Sequence, residues 1–358
     1  MTAPAMPRLG ATFPVATTLG WAPASDHTAV SAPPADGSVA SLRSDLALLA
    51  SLGVTDVRLP VDWARLEPRP GAWDGTAVEW LDEALTAAAA AGVRVWAALL
   101  EGPLPAWLAD EGGLGDDRAM GRWWPRFCDR VAEHLGDRLG GWVPVVDPVG
   151  IATAAYETGA RPPHRTDERM HAEVVRRLAV AWRDAWRVLR GGPPVATCLG
   201  LATVQAADDT VPAWQAARRR DRLVWEVWTR ALRDGVVAVP GLPEVTVPDL
   251  AGACDVLGGI AVVPDGIEPA RWEDDLGTLV RRLAESGPDR PGSITVSLVE
   301  PDDRRRTELA GASVTALRGA VADGVRLEVA FASPALGALV SRDRDETGAT
   351  AAWRSLTG

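Results

Sequence analysis

Short apolar runs of strand length alternate with stretches of helical periodicity along the whole chain. The strand candidates are "ATFPVAT", "VTDVRLPV", "VRVWAALL", "WVPVVD", "PVATCLGLA", "VLGGIAVV", "SITVSLVE" and "VRLEVAFAS". Between them, segments such as "SLRSDLALLASLG", "VEWLDEALTAAAAAG" and "ERMHAEVVRRLAVAWRDAWRVLR" place apolar residues at i, i+3, i+4 and i+7, and several close on glycine. A strand that is apolar throughout is buried on both faces, as happens when parallel strands are covered by helices. Eight such units predict an α/β fold, a TIM (β/α)8 barrel, as a single domain over residues 1–358. A doubly wound sheet would need a Gly-rich fingerprint after the first strand, and none is there. Residues 202–216 and 236–252 read as loops or short helices inside this plan.

Composition narrows the function. A hydrophobic content of 47% suffices for one large core, and a net charge of −11 argues against a nucleic-acid or anionic-membrane partner. All 37 cationic side chains are arginine, which excludes Schiff-base lysines and lysine-based phosphate loops. Cys128, Cys198 and Cys254 are too scattered for a disulfide framework or a zinc site and read as core residues. His27, His134, His164 and His171 lack metal-ligand spacing, so neither a metal nor another cofactor is expected. The start "MTAPAMPRLG" lacks the charged-then-apolar order of a signal peptide, and no apolar run approaches the ~20 residues of a membrane span. The expectation is a cytoplasmic protein with a small-molecule or carbohydrate ligand. Of 16 tryptophans, Trp80, Trp123, Trp124, Trp182, Trp186, Trp225 and Trp228 lie at helical spacings and read as packing residues.

In a (β/α)8 barrel, chemistry collects at the C-terminal ends of the strands. Those positions here are Trp21 beyond strand one, Arg58 in strand two, Glu101 after strand three, Asp147 ending strand four and Glu300 ending strand seven. Strands five, six and eight end in apolar or small residues.

Three stretches carry a resemblance to family 1 glycoside hydrolases, the β-glucosidase family. "RSDLALLASLGVTDVRLPVDWARLEPRPGAWD" resembles the segment in which a helix ending Leu-Gly-Val leads to Tyr-Arg-Phe-Ser-Ile-x-Trp-x-Arg-Ile-x-Pro, with Arg58, Trp63, Arg65, Pro68 and Gly71 in the matching places. "CDRVAEHLGDRLGGWVPVVDP" resembles the stretch carrying the acid/base motif Trp-x-Thr-x-Asn-Glu-Pro. There Trp142 and Pro148 match, while Val146 stands in the Asn slot and Asp147 in the Glu slot. "AWQAARRRDRLVWEVWTRALRDGVVAVPG" is similar to a later helix of the family.

The resemblance implies the barrel and a sugar pocket, but a depleted one. The family's Gln falls near Trp21, its His-Trp pair on Glu101 and Gly102, and its Asn-x-Tyr near Ile260 and Val262. The nucleophile slot falls on Val296 if "SIT" is matched to Ile-Thr-Glu, or on Glu300 if the strand end is matched. Two readings stand. In one, the barrel has lost retaining β-glucosidase chemistry and binds, or alters, a small molecule. In the other, it is an O-glycosyl hydrolase with Asp147 as acid/base and Glu300 as nucleophile. In both, Arg58, Glu101 and Trp21 are the expected binding residues. Buried Arg58 needs a counterion, for which Glu300, Glu101 and Asp147 compete. Glu101 reads equally as a cap on the following helix. Asp62 and Glu67 are expected at the surface or capping loops.

Overall fold

The computed structural model describes residues 5–13, 39–101, 104–287, 289–341 and 343–357. Eight parallel strands form its centre: β1 (Arg8–Thr12), β2 (Asp56–Pro60), β3 (Arg94–Leu100), β4 (Gly141–Val145), β5 (Leu199–Leu201), β6 (Leu257–Val262), β7 (Gly292–Ser297) and β8 (Leu327–Ser333). Their order is β4-β3-β2-β1-β8-β7-β6-β5, and parallel bridges Trp142–Val195 and Val146–Cys198 join β4 to the β5 segment, closing the ring. All eight predicted strands are present. The first lies earlier than its apolar run suggested, at Arg8–Thr12, because that register pairs it with β8 on one side and β2 on the other. The segment 236–252, expected to be loops or short helices, contains a small antiparallel pair, Val236–Val237 with Val245–Thr246. No helix among the described residues is long and apolar enough to cross a membrane.

Strand alternation divides the apolar residues into two layers. Val95, Ala97 and Leu99 of β3, and Ala330 and Ala332 of β8, pack outward with the helices. The alternate positions Trp96, Ala98, Val329 and Phe331 fill the lumen with Val143, Val146 and Cys198. Trp96 and Phe331 meet edge to face at 6.4 Å. Their rings fit because the facing residues are glycines: a Cβ on Gly141 would lie 2.2 Å from Trp96, and one on Gly10 2.4 Å from Phe331. The tryptophans of the helices serve as packing residues. Trp124, Trp182, Trp225 and Trp228 are buried, and Trp80, Trp123 and Trp186 pack against the core while partly exposed.

The floor of the lumen is held by one carboxylate. Asp56 is fully buried and accepts from Trp96 Nε1 at 2.9 Å, Thr55 Oγ1 at 2.7 Å, Arg8 Nε at 3.0 Å and Arg94 Nη2 at 2.9 Å. Burial alone would raise its pKa, but the hydrogen bonds from Trp96, Arg8 and Thr55, with the charge of Arg8, hold it below the ordinary carboxylate value. A depressed carboxyl contributes stability that is complete above the unfolded value of about 3.9 and lost as pH falls through the lower folded value. Asp56→Ala, which leaves the Trp96 indole N–H unmatched, is expected to cost about 2–4 kcal/mol in urea unfolding at pH 7. The variant should also lose less stability than the parent on acidification below about pH 4. Parallel acid profiles for the two proteins would contradict this account of the floor.

Candidate functional site

Above that floor the lumen holds a cation. Arg58 is 2% exposed; its Nη1 donates to Thr295 Oγ1 at 2.9 Å and approaches Cys198 Sγ at 3.5 Å, while Nη2 meets Glu101 Oε1 at 3.5 Å. Burial would lower its pKa, yet Cys198 and Glu101 outweigh that and keep it above the usual arginine value. Burial also pushes the Cys198 thiol up to about 11, so the thiol is protonated at neutral pH and the formal countercharge is Glu101. Of the three counterions proposed from sequence, Glu101 is the one in contact. It does not cap the following helix, Ala106–Asp110, which starts at Pro105 without a side-chain cap. The pairing is incomplete: Arg58 Nε and Glu101 Oε2 are both buried and lack a hydrogen-bond partner among the described residues.

Asp147, expected to end the fourth strand, lies two residues past the end of β4 and is the N-cap of the helix Pro148–Tyr156. Its backbone is left-handed, at φ 48° and ψ 66°, a conformation that aspartate tolerates better than most residues. Its N–H donates to Cys198 O at 2.7 Å, and its Oδ1 accepts from Gly150 N at 2.9 Å as the helix N-cap. Two glycines make room for the carboxyl. A Cβ on Gly200 would lie 2.2 Å from Oδ1, and one on Gly150 2.0 Å from Oδ2. Burial raises the Asp147 pKa, opposed by the amide of Gly150 and by the charges of Arg220 and Arg161.

Glu300 belongs to a different neighbourhood. β7 stops at Ser297, three residues short of it, and Leu298 N–H then donates to Ser333 O. Glu300 Oε1 accepts from Asp302 N at 3.0 Å, and Oε2 lies 3.3 Å from Arg305 Nε. Val296, the other occupant proposed for the nucleophile slot, is buried in the outer layer with Ile294 and Leu298, facing the helices. The lumen side of β7 presents Thr295, which meets Arg58.

Trp21 lies outside the described residues. Asp62 and Glu67 are corrections in part. Asp62 does cap the short helix Trp63–Leu66, but both residues are buried, at 7% and 5% exposure, rather than at the surface. Glu67 accepts from Trp63 Nε1 and from Gly71 N at 2.7 and 2.6 Å, so it closes the turn beneath the Trp63–Phe127 stack. Burial raises the Asp62 carboxyl to about 6 despite Arg65. Sequence reasoning missed Cys198 and Thr295 as partners of Arg58. The alternating pattern marks both as strand residues, but their meeting depends on contacts across 140 and 237 residues of chain.

A capping role for Asp147 makes a definite prediction. Asparagine also caps helices and tolerates the left-handed region, so Asp147→Asn should stay within about 0.5–1 kcal/mol of the parent. Asp147→Ala loses the cap and strains the backbone, each worth about 1 kcal/mol, for a total near 2 kcal/mol in urea unfolding. Equal losses in the two variants would show that the carboxyl, not the cap, is what matters.

Known proteins share this architecture. The sequence profile of glycosyl hydrolase family 1 matches residues 25–234. Lactase/phlorizin hydrolase of Rattus norvegicus is 27% identical over 168 residues, 42% of this chain and 8% of that protein. The probable inactive beta-glucosidase 25 of Arabidopsis thaliana is 27% identical over 137 residues, 37% of this chain and 26% of that protein. The matched stretch thus spans only 8% of one of these curated relatives and 26% of the other. Among solved structures, the beta-glycosidase from Pyrococcus horikoshii superposes with a TM-score of 0.81 at 16% identity, covering 98% of this chain and 93% of that one. The family 1 b-glucosidase from Thermotoga maritima gives 0.77 at 15% identity, covering 99% and 98%. The profile match takes in β2, β3, β4 and β5 with the Arg58, Glu101 and Asp147 positions, and the chain belongs to glycosyl hydrolase family 1.

Proposed function

We propose that this chain is a family 1 barrel that does not perform retaining β-glucoside hydrolysis and instead holds a small hydroxyl-bearing molecule at Arg58 and Glu101. The observation that carries the reading is the employment of both candidate carboxylates. Retaining hydrolysis needs one carboxyl as nucleophile and a second as acid/base about 5–5.5 Å away, both turned to the bound sugar. Asp147 instead caps a helix in a niche shaped by Gly150 and Gly200, and Glu300 is tied to Arg305 and to the Asp302 amide. Aspartate is also one methylene shorter than glutamate, and a misplacement of about 1 Å can cost on the order of a hundredfold in rate. A hydroxyl both donates and accepts, so one such group between Glu101 Oε2 and Arg58 Nε would answer both unmatched atoms. The Arabidopsis relative is named a probable inactive beta-glucosidase, which is in keeping with this reading.

One observation favours the second reading, an active O-glycosyl hydrolase with Asp147 as acid/base and Glu300 as nucleophile. The Asp147 pKa is shifted upward, the direction a proton donor requires. A panel of nitrophenyl glycosides separates the two. We expect nitrophenol release at background level, unchanged by Asp147→Asn or Glu300→Gln. Release well above background that falls at least about a hundredfold in both variants would establish the hydrolase and refute the first reading. The binding half is tested by thermal shift against monosaccharides and polyols, where a stabilising compound should lose its effect in Glu101→Ala. A stabilisation that survives this substitution would remove Glu101 from the site.

A further inference from the structure

A cavity opens beyond the ends of β7 and β8, and neither Arg58 nor Glu101 lines it. Its volume is about 500 Å³, within the range of small-molecule sites. Leu298, Val299 and Leu336 are among its apolar walls, and Glu300, Arg306 and Ser341 are its polar groups. Val299 is 69% exposed although apolar.

The polar groups are unevenly satisfied. Both oxygens of Glu300 are taken, one by the Asp302 amide and one by Arg305. Arg306 is 8% exposed; its Nη1 donates to Glu300 O at 3.0 Å and its Nη2 to Asp303. Its Nε is buried with no hydrogen-bond partner among the described residues. Ser341 Oγ accepts from Asp345 N at 2.9 Å, which leaves its hydroxyl proton available to donate. The unmatched groups are therefore donors, and one sits on a permanent cation. Guanidinium donors pair best with carboxylates.

We propose that this cavity binds a small monocarboxylate with an apolar body. The carboxylate accepts from Arg306 Nε and Ser341 Oγ, and the hydrocarbon part lies against Leu298, Val299 and Leu336. None of the residues assigned to the hydroxyl-bearing ligand takes part, so this site stands or falls independently of that reading.

The test is a fluorescence titration with the anionic probe 1-anilinonaphthalene-8-sulfonate, displaced in turn by octanoate and by octanol. Octanoate should displace the probe at a concentration at least about tenfold lower than octanol, as expected for one charge-assisted hydrogen bond. Arg306→Met should weaken octanoate about tenfold and leave octanol unchanged. Leu336→Trp, which fills the cavity while keeping Arg306, should abolish displaceable binding, with its thermal unfolding curve showing that the fold is intact. Equal displacement by octanoate and octanol would overturn the carboxylate assignment. Probe binding that persists in Leu336→Trp would overturn the site, as would failure of the unsubstituted protein to bind the probe or to release heat with octanoate in calorimetry. An octanoate affinity unchanged in Arg306→Met would mean that water alone meets Nε, and would also overturn the proposal. If that variant does not fold, the octanoate-to-octanol ratio and the Leu336 variant still decide.

Discussion

A permanent cation inside a barrel must be neutralised where it stands, and Arg58 sets that condition for the residues around it. The lumen about it is built from Trp96, Val143, Val146 and Phe331, none of which can share a charge. Thr295 and Cys198 supply hydrogen-bonding atoms but no charge at neutral pH, so the carboxylate has to come from the end of β3. Glu101 is the first residue past β3, which ends at Leu100, and it reaches Arg58 Nη2 from there, outside the alternation that turns Trp96 and Ala98 inward. Arginine cannot shed its proton to escape burial, which is why the ring of contacts exists at all.

The two ends of the lumen treat their acids differently. At the floor, Asp56 receives donors from four residues and packs a polar knot beneath Trp96. At the mouth, Arg58 and Glu101 share a single long contact, and each keeps one atom unmatched among the described residues. A fully matched network rigidifies a fold, while an unmatched one at the barrel mouth is where a ligand has something to gain. Asp147 stands between these cases, since the helix it caps consumes its hydrogen-bonding capacity on one side while burial raises its pKa.

Local periodicity made the architecture legible. All eight strands, the packing role of the helical tryptophans and the burial of the three cysteines follow from patterns within about twenty residues. Arg58 also stood out, because a charge in an apolar strand has few places to go. Features that depend on distant segments were not legible. Strand one starts earlier than its apolar run because its neighbours β2 and β8 set its register. The sequence favoured Glu300 over Val296 for one slot of a motif by reading Glu300 as the strand end, whereas β7 stops at Ser297 and Val296 faces outward, features set by the pairing of the strand with its neighbours. The role of Gly200 is invisible in its own segment, since the carboxyl it accommodates lies 53 positions earlier at Asp147.

The central claim is that Asp147 and Glu300 hold the fold together and do not work as a hydrolytic pair. Retaining hydrolysis passes through a covalent glycosyl-enzyme intermediate, which a 2-deoxy-2-fluoro glycosyl fluoride traps. Intact-mass spectrometry of the protein incubated with a series of such reagents tests the claim most directly. The account predicts an unmodified mass throughout. A stoichiometric glycosyl adduct that maps to Glu300 would contradict it.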